Sequence, residues 1–217
     1  MKNYRLMVLA AALTLILAPA ASALAGDFYL TPKIGWASFK GKIDYAGGGS
    51  DSESKNMVPF GLAFGYDFKP ASDIPVRAEV EYTYRGKKEM GNEVDGKAKA
   101  GAQSLFVNAY FDIYNSSPVT PYVGAGLGFA AVSTELEYKY YSSGLGGYGE
   151  LKISETKTNF AWNIGAGAAW AINDSLSLDL GYRYADFGKA TIDYQGVDIG
   201  DVKTSAHEVM LGLRIGF

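Results

Sequence analysis

Hydrophobic and polar residues alternate with a period of two in eight separate stretches of the chain. The last stretch, HEVMLGLRIGF, places apolar side chains at every second position from Val209 to Phe217. Strict alternation of this kind predicts a β-strand whose two faces meet different surroundings. The pattern therefore predicts a chain built from many short strands.

Seven earlier stretches alternate in the same way, and their apolar faces begin at Phe28, Val58, Val76, Leu105, Val123, Phe160 and Leu176. The two faces separate most clearly in 76–85, where arginine and glutamate occupy most of the second face. A water-soluble barrel hides its apolar face inside, whereas a transmembrane barrel turns that face to lipid and keeps charge in its interior. Each stretch is close to the roughly 9 to 11 residues that a tilted strand needs to cross a bilayer.

The connections between these strands alternate in length. Short turns at KPASD, NSSPVT and Asn173-Asp174 are interleaved with longer polar segments at 40–56, 86–97, 135–156 and 185–203. Aromatic residues mark both ends of the apolar faces, with Phe28, Phe68, Trp170 and Phe217 at one end and Trp36, Tyr84, Trp162 and Tyr184 at the other. These features are typical of outer-membrane barrels. The sequence predicts an all-β, eight-stranded antiparallel up-and-down transmembrane β-barrel with both termini in the periplasm.

The first 25 residues carry the features of an export signal. Lys2 and Arg5 precede an apolar run, and Ala23-Leu24-Ala25 offers the small residues that a signal peptidase needs. We expect a cleaved signal peptide at 1–25 and a single outer-membrane barrel domain at 26–217. The chain has no cysteine, which excludes disulfides and an acylated cysteine anchor. Its net charge of −3 gives no indication of a nucleic-acid partner.

The chain resembles the small outer-membrane β-barrel family that includes opacity-type surface antigens and the transmembrane domain of OmpA-like proteins. The resemblance covers roughly 26–217 and rests on the leader, the strand PYVGAGLGFA, the segment LDLGYRYADFG and the ending HEVMLGLRIGF. It implies a location in the outer membrane, in contact with its lipid and lipopolysaccharide. It also implies insertion by the outer-membrane insertion machinery, which recognises a C-terminal strand with a terminal aromatic residue, here Phe217.

Charged side chains gather on the face opposite the apolar one, and the predicted interior contains Arg77, Glu79, Glu81, Arg85, Asp179, Arg183, Glu208 and Arg214. Mixed arginines and carboxylates can satisfy one another in a barrel interior that side chains fill. Small residues on two neighbouring strands would leave room for the long charged side chains: Gly124, Gly126, Gly128, Gly165, Gly167 and Ala169. We expect a plugged interior. The alternative is a narrow porin-like channel for small solutes, gated by these ion pairs.

An enzymatic function has little support in the sequence. The single histidine, His207, falls on the lipid-side face of the last strand, where Ser205 is the nearest candidate nucleophile. Scattered carboxylates in the loops do not follow the spacing of a calcium-binding loop. We therefore predict a non-enzymatic protein with no catalytic residues, no cofactor and no metal.

The outer loops are the predicted functional regions, because lipid contact constrains the strand exteriors and packing constrains the interior. The segment 135–156 contains four tyrosines, Tyr138, Tyr140, Tyr141 and Tyr148, with glycines among them. Tyrosine suits recognition of a host or extracellular protein or glycan. The alternative is an extended hairpin above the membrane with no ligand. The predicted function is envelope integrity, adhesion or surface-antigen interaction.

Overall fold

The structure is a computed structural model that describes residues 28–45, 49–90, 97–142, 147–194 and 197–217. The predicted signal peptide at 1–25 lies outside the described residues. Nine strands and one short helix make up the described chain, namely β1 (Phe28–Tyr45), β2 (Ser50–Met57), β3 (Pro59–Asp67), α1 (Lys69–Ser72), β4 (Val76–Met90), β5 (Lys97–Asp112), β6 (Val119–Ser142), β7 (Gly147–Asn173), β8 (Leu176–Tyr194) and β9 (Val197–Gly216).

The strands form one closed antiparallel sheet. From β3 to β9 each strand pairs with the next along the chain, and β9 pairs with β1 to close the barrel. Both β2 and β3 pair with β1, and only Val58 separates them, so together they act as one strand. The eight-stranded up-and-down barrel predicted from the alternation is confirmed.

Burial follows the predicted alternation with the apolar face outward. Large apolar side chains are exposed on the outer wall, among them Val107 at 61% and Leu127 at 60%. Charged side chains on the other face are buried, with Arg85 and Glu208 both at 0% exposure. This inverted distribution fits a barrel surrounded by hydrocarbon and not by water.

The turn KPASD contains the only helix of the described ranges, α1, which spans a single turn. Among the residues with described structure, no helix combines the length and the apolar character needed to cross a bilayer.

The strands are longer than the sequence predicts, and the predicted bounds of the four outer loops are wrong. Strands β6 and β7 remain paired up to Ser142 and Gly147, so most of the predicted loop 135–156 is a regular hairpin. Each of the other three outer connections begins and ends in strand within the described residues, and β1 and β2 are paired up to Asp44 and Ser50. Beyond the bilayer both faces of a strand meet water, so the hydrophobic alternation stops there. Backbone pairing does not depend on this alternation, and it continues.

Candidate functional site: the barrel interior and outer hairpins

The structure places all eight predicted charged residues on the inner face of the barrel. Their side chains are at most 14% exposed, the value for Arg214. They face inward because each occupies a polar position of a strand whose alternate residues meet lipid. Long-range pairs join them across the interior, so residues far apart in sequence share one network.

Arg183 on β8 lies at the centre of this network. Its Nη1 donates a hydrogen bond to Glu81 Oε1 at 2.6 Å, and its Nε donates one to Glu208 Oε2 at 2.6 Å. Glu208 also accepts two hydrogen bonds from Arg85, at 2.5 Å from Nε and 3.1 Å from Nη2. Glu208 thus bridges two arginines, and Glu81 bridges Arg183 and Lys33. Charge-assisted hydrogen bonds make this arrangement rigid.

Lys33 on β1 extends the network and was not among the predicted site residues. Its Nζ lies 2.7 Å from Glu81 Oε2 and 2.8 Å from Glu79 Oε2. The sequence does place Lys33 on the polar face of the first strand, and this position was the signal that could have identified it. Lys33 is thus the nearer of two cations beside Glu79, whose other carboxylate oxygen lies 3.7 Å from Arg77 Nη1.

A second group of ion pairs lies nearer the periplasmic end. Arg77 donates to both carboxylate oxygens of Asp112, at 2.6 and 2.9 Å, and Arg214 lies 2.5 Å from Asp179. Asp112 also falls on a polar strand face in the sequence but was missed as a site residue.

In the adjoining turn, burial and nearby carboxylates, chiefly that of Asp67, raise the pKa of the Tyr114 phenol to about 12.

The described ion pairs between the two aromatic girdles are electrically balanced. They join five cations, Lys33, Arg77, Arg85, Arg183 and Arg214, to five carboxylates, Glu79, Glu81, Asp112, Asp179 and Glu208. Buried charges are tolerated only when partners compensate for lost hydration. Balanced pairing therefore lets the interior remain both charged and closely packed.

A buried apolar layer adjoins the outermost of these ion pairs, Arg85–Glu208, and was not predicted. It consists of Phe39, Met57, Ala102, Phe106, Ala130, Ala161, Ala185, Phe187 and Ala206, all buried. Phe39 stacks on Phe187 with ring centroids 5.7 Å apart, and the Arg85 guanidinium lies 4.6 Å from the Phe187 ring. The layer closes the outer end of the interior at about the height of the outer aromatic girdle.

The small residues on β6 and β7 make room mainly for uncharged side chains, which corrects the prediction that they accommodate arginine and glutamate. Gly124 faces the Tyr110 ring, and Gly167 faces the Tyr122 ring. Gly165 alone fits the prediction among the glycines of this wall, because a side chain there would meet Arg183. Tyr122 in turn donates a hydrogen bond to Asp179 at 2.5 Å, so the tyrosines belong to the same packed interior.

A cavity of about 40 Å³ lies beside the network, against Lys33, Tyr110, Asn163 and Arg183. This volume suits roughly two or three water molecules. It is therefore small compared with a nutrient solute.

His207 lies on the outer wall near the outer girdle, as the alternation predicts. Its Nδ1 is 2.7 Å from the Tyr182 hydroxyl, and its ring is 5.2 Å from the Tyr184 ring. Ser205 occupies the same outward face one row farther from the membrane centre. In the described part of the chain, no group of three or more metal-ligating side chains is placed to hold a metal ion.

The four predicted recognition tyrosines belong to the paired arms of the β6–β7 hairpin. Tyr138 and Tyr140 lie in β6 opposite Leu151 and Gly149, and Tyr141 pairs with Tyr148 one position from the end of the described arms. The backbone therefore brings all four tyrosines to the far end of one projecting hairpin.

Phe217 lies at the seam where the barrel closes. Its backbone N–H donates a hydrogen bond to the Phe28 carbonyl at 3.0 Å, and its side chain is 59% exposed on the outer wall. The terminal aromatic residue thus joins the last strand to the first at the periplasmic rim.

Comparison with known proteins agrees with this architecture. The family described as "Outer membrane protein beta-barrel domain" matches residues 7–214. Outer membrane protein PagN of Salmonella typhimurium is 30% identical over 182 residues, which cover 76% of this chain and 74% of PagN. A candidate adhesin of Rickettsia felis is 24% identical over 204 residues, covering 88% of each chain.

Among solved structures, Neisserial surface protein A superposes with a TM-score of 0.56 at 22% identity, covering 88% of this chain and 97% of that protein. At this identity the likeness concerns the fold alone. The resemblance predicted from the sequence motifs is confirmed by the family match.

Proposed function

Because this chain belongs to the outer membrane protein β-barrel family, we propose that it is a non-enzymatic adhesion protein whose outer hairpins bind partners outside the cell. The protein lies in the outer membrane, in contact with its lipid. The relative from Rickettsia felis carries the name of a candidate adhesin, which supports a role in attachment. Envelope integrity is compatible with the same barrel.

The observation that carries this proposal is the length of the β6–β7 hairpin beyond the outer girdle. Fifteen residue steps separate Trp162 from Gly147 in β7, which is about 50 Å of strand at ~3.3 Å per residue. The pairing runs to the end of the described arms. A paired arm with a tyrosine-rich end presents contact area to a protein or glycan, because tyrosine combines a rigid apolar ring with a polar tip.

The contacts of His207 support a non-enzymatic function. Its ring is engaged by Tyr182 and Tyr184 and is exposed on the wall that faces the membrane. General-base catalysis needs a histidine held beside a nucleophile and a bound substrate. An interfacial role within the outer aromatic girdle fits this environment better.

The termini and the interior have separate roles in this proposal. Phe217, exposed at the closing seam, serves as the recognition feature for the insertion machinery. The ion pairs and the apolar layer fill the interior and hold the barrel rigid beneath the hairpins. The narrow channel is the less favoured alternative, because the apolar layer and the ion pairs both lie across its path.

The test replaces 135–156 with a short Asn-Gly turn and measures adhesion of expressing cells to epithelial monolayers and to matrix-coated surfaces. We expect adhesion to fall to the level of cells without the protein, while the variant still folds and reaches the surface. A matched variant shortens the hairpin between β4 and β5 instead and should retain most of the adhesion. Unchanged adhesion after loss of the β6–β7 hairpin would refute the proposed binding surface.

A further inference from the structure

The seam between β1 and β9, which closes the barrel, is interrupted near its periplasmic end. The register pairs β1 with β9 at Leu30 and again at Lys33, but it pairs neither Thr31 nor Pro32. On its other edge, β1 stays in register with β3 through the same stretch. The interruption therefore belongs to the closing seam and not to β1 as a whole.

Pro32 explains the interruption. The Phe217 N–H donates to the Phe28 carbonyl, so β1 presents the backbone groups of Phe28 to β9. The backbone groups of a strand alternate between its two neighbours. Four residues along each strand from this bond, Pro32 lies opposite Leu213 and faces it in the same way. Proline has no N–H, so Pro32 cannot donate to the Leu213 carbonyl.

A carbonyl without a donor is costly at this place in the wall. The side chains of Pro32 and Leu213 are exposed on the outer surface, where hydrocarbon offers no hydrogen bond. Leaving a buried backbone group without a partner costs free energy. A donor for the Leu213 carbonyl must therefore come from the inner side of the seam.

Three buried polar atoms lie on that inner side. Tyr29 Oη, Thr31 Oγ1 and Arg214 Nε have no hydrogen-bond partner within the part of the chain that the structure describes. Tyr29 is 3% exposed and Thr31 is 1% exposed. Among the described side chains, Asn108 contributes the one other buried atom in this condition. The unpartnered atoms are thus concentrated at the interruption.

The packing brings these three side chains together. Tyr29 and Thr31 are two residues apart and share the inner face of β1. The guanidinium carbon of Arg214 lies 5.4 Å from the centre of the Tyr29 ring. The Thr31 side chain lies against β9, because a β-carbon at Gly212 would be 2.8 Å from the Thr31 methyl carbon. Donors and acceptors from both strands therefore face one small space.

The bonding capacity of this space fits a neutral ligand that both donates and accepts. Arg214 Nε–H can only donate, the Leu213 carbonyl can only accept, and the hydroxyls of Tyr29 and Thr31 can do either. A carbonyl disfavours an anion, and an arginine disfavours a cation. The five cations and five carboxylates of the interior ion pairs already balance, so a charged ligand would have no counter-charge.

The position of Arg214 gives solvent a route to this space. Its side chain is 14% exposed, more than that of Lys33 at 11% or Asp179 at 12%. Arg214 lies two residues from the end of β9, at the periplasmic mouth of the interior. Water is the neutral molecule of suitable size that reaches this mouth.

We propose that one water molecule is bound on the inner side of the closing seam, where it bridges the Leu213 carbonyl, the Thr31 hydroxyl and Arg214 Nε. The water accepts a hydrogen bond from Arg214 and donates to Leu213 and Thr31, and the Tyr29 hydroxyl is its second donor. Buried waters typically make about three hydrogen bonds, and a bridging water is nearly as favourable as a direct bond. The bound water thus joins β1 to β9 where proline prevents direct pairing.

The first test measures urea unfolding of the full barrel in lipid vesicles for the wild type and Thr31→Val. Valine keeps the shape of threonine but removes the hydroxyl, so the water loses one partner. We expect the unfolding equilibrium constant to rise by roughly fivefold, the effect of one hydrogen bond. Thr83→Val is the reference, because the Thr83 hydroxyl donates to Glu81 at 2.6 Å, and it should shift stability in the same direction.

The sign of the change decides this test. Removing a buried hydroxyl that truly has no partner leaves the stability unchanged or increases it. A Thr31→Val barrel that is as stable as the wild type, or more stable, would therefore overturn the bound water.

The second test detects the water directly, by rotating-frame nuclear Overhauser effects from water to arginine Nε–H protons of the barrel in detergent micelles. The sign of each peak separates direct contact from proton exchange. We expect a contact peak at Arg214 that weakens in Thr31→Val. Arg85 is the matched control, because its Nε–H donates to Glu208 and both side chains are 0% exposed, so it should give no peak.

Two results of the second test would overturn the proposal. One is the lack of a contact peak at Arg214, or a peak that Thr31→Val leaves unchanged. The other is an Arg214 signal that shifts when sulfate replaces chloride and shows no contact with water, which would identify an anion as the ligand. Neither test measures adhesion, and the site lies at the opposite end of the barrel from the hairpins, so failure here leaves the proposed function intact.

Discussion

At the scale of single residues, several of the interior charges have more than one partner. Arg183 donates to Glu81, Glu208 and Thr83, and its guanidinium lies 5.8 Å from the Phe106 ring. A buried charge that loses its partner keeps the full cost of lost hydration. Residues that bridge several partners should therefore matter more for stability than those with one.

We expect Arg183→Ala to destabilise the barrel by about 3 to 5 kcal/mol, because it leaves Glu81 and Glu208 with excess buried negative charge. Arg214→Ala is the matched comparison, since Arg214 is more exposed and its described ion pair involves Asp179 alone. Its cost should be smaller. Urea unfolding in lipid vesicles, followed by tryptophan fluorescence, measures both values. Equal costs would contradict the central position of Arg183.

At the scale of strands, the sequence predicts most of what lies within the bilayer. Alternation correctly assigned the outward face of Leu127 and the inward face of Glu208, because lipid and interior impose opposite demands on neighbouring residues. It could not assign Lys189, since the bulge at Gly188 changes the parity through local backbone geometry. It also missed Phe106 as part of an apolar layer, because period two distinguishes the two faces but not the layers within one face.

The wall formed by β6 and β7 gives a prediction at this scale. Gly167→Val should destabilise by about 1 to 3 kcal/mol, because the new side chain would collide with the Tyr122 ring in a packed interior. Ala166→Val on the same strand points to lipid and should be nearly neutral. Unfolding curves of the two variants in the same vesicles make the comparison, and equal stability would show that this wall is not closely packed.

At the scale of the whole molecule, the barrel is arranged in layers along its axis. Ion pairs fill the periplasmic and central parts, an apolar layer closes the outer end, and paired hairpins continue outward. An eight-stranded barrel has an interior only wide enough for side chains. Under the proposed function, the strands inside the bilayer enclose the packed interior, and their extensions beyond the outer girdle supply the binding surface.

This layering predicts that the wild-type barrel does not conduct small solutes. Vesicles containing it should take up glycerol and arabinose no faster than protein-free vesicles. The variant R85A/E208A/F106A/F187A should admit both solutes, because it removes two aromatic rings of the apolar layer and the ion pair beside them. Arg183 keeps Glu81 as its partner, and the net charge of the protein does not change. Swelling of vesicles measures the flux, and the variant serves as the open reference. If the flux through the wild type is close to that through the variant, the barrel is a channel and its interior is not closed. The apolar layer and the ion pairs would then have to separate in the native barrel.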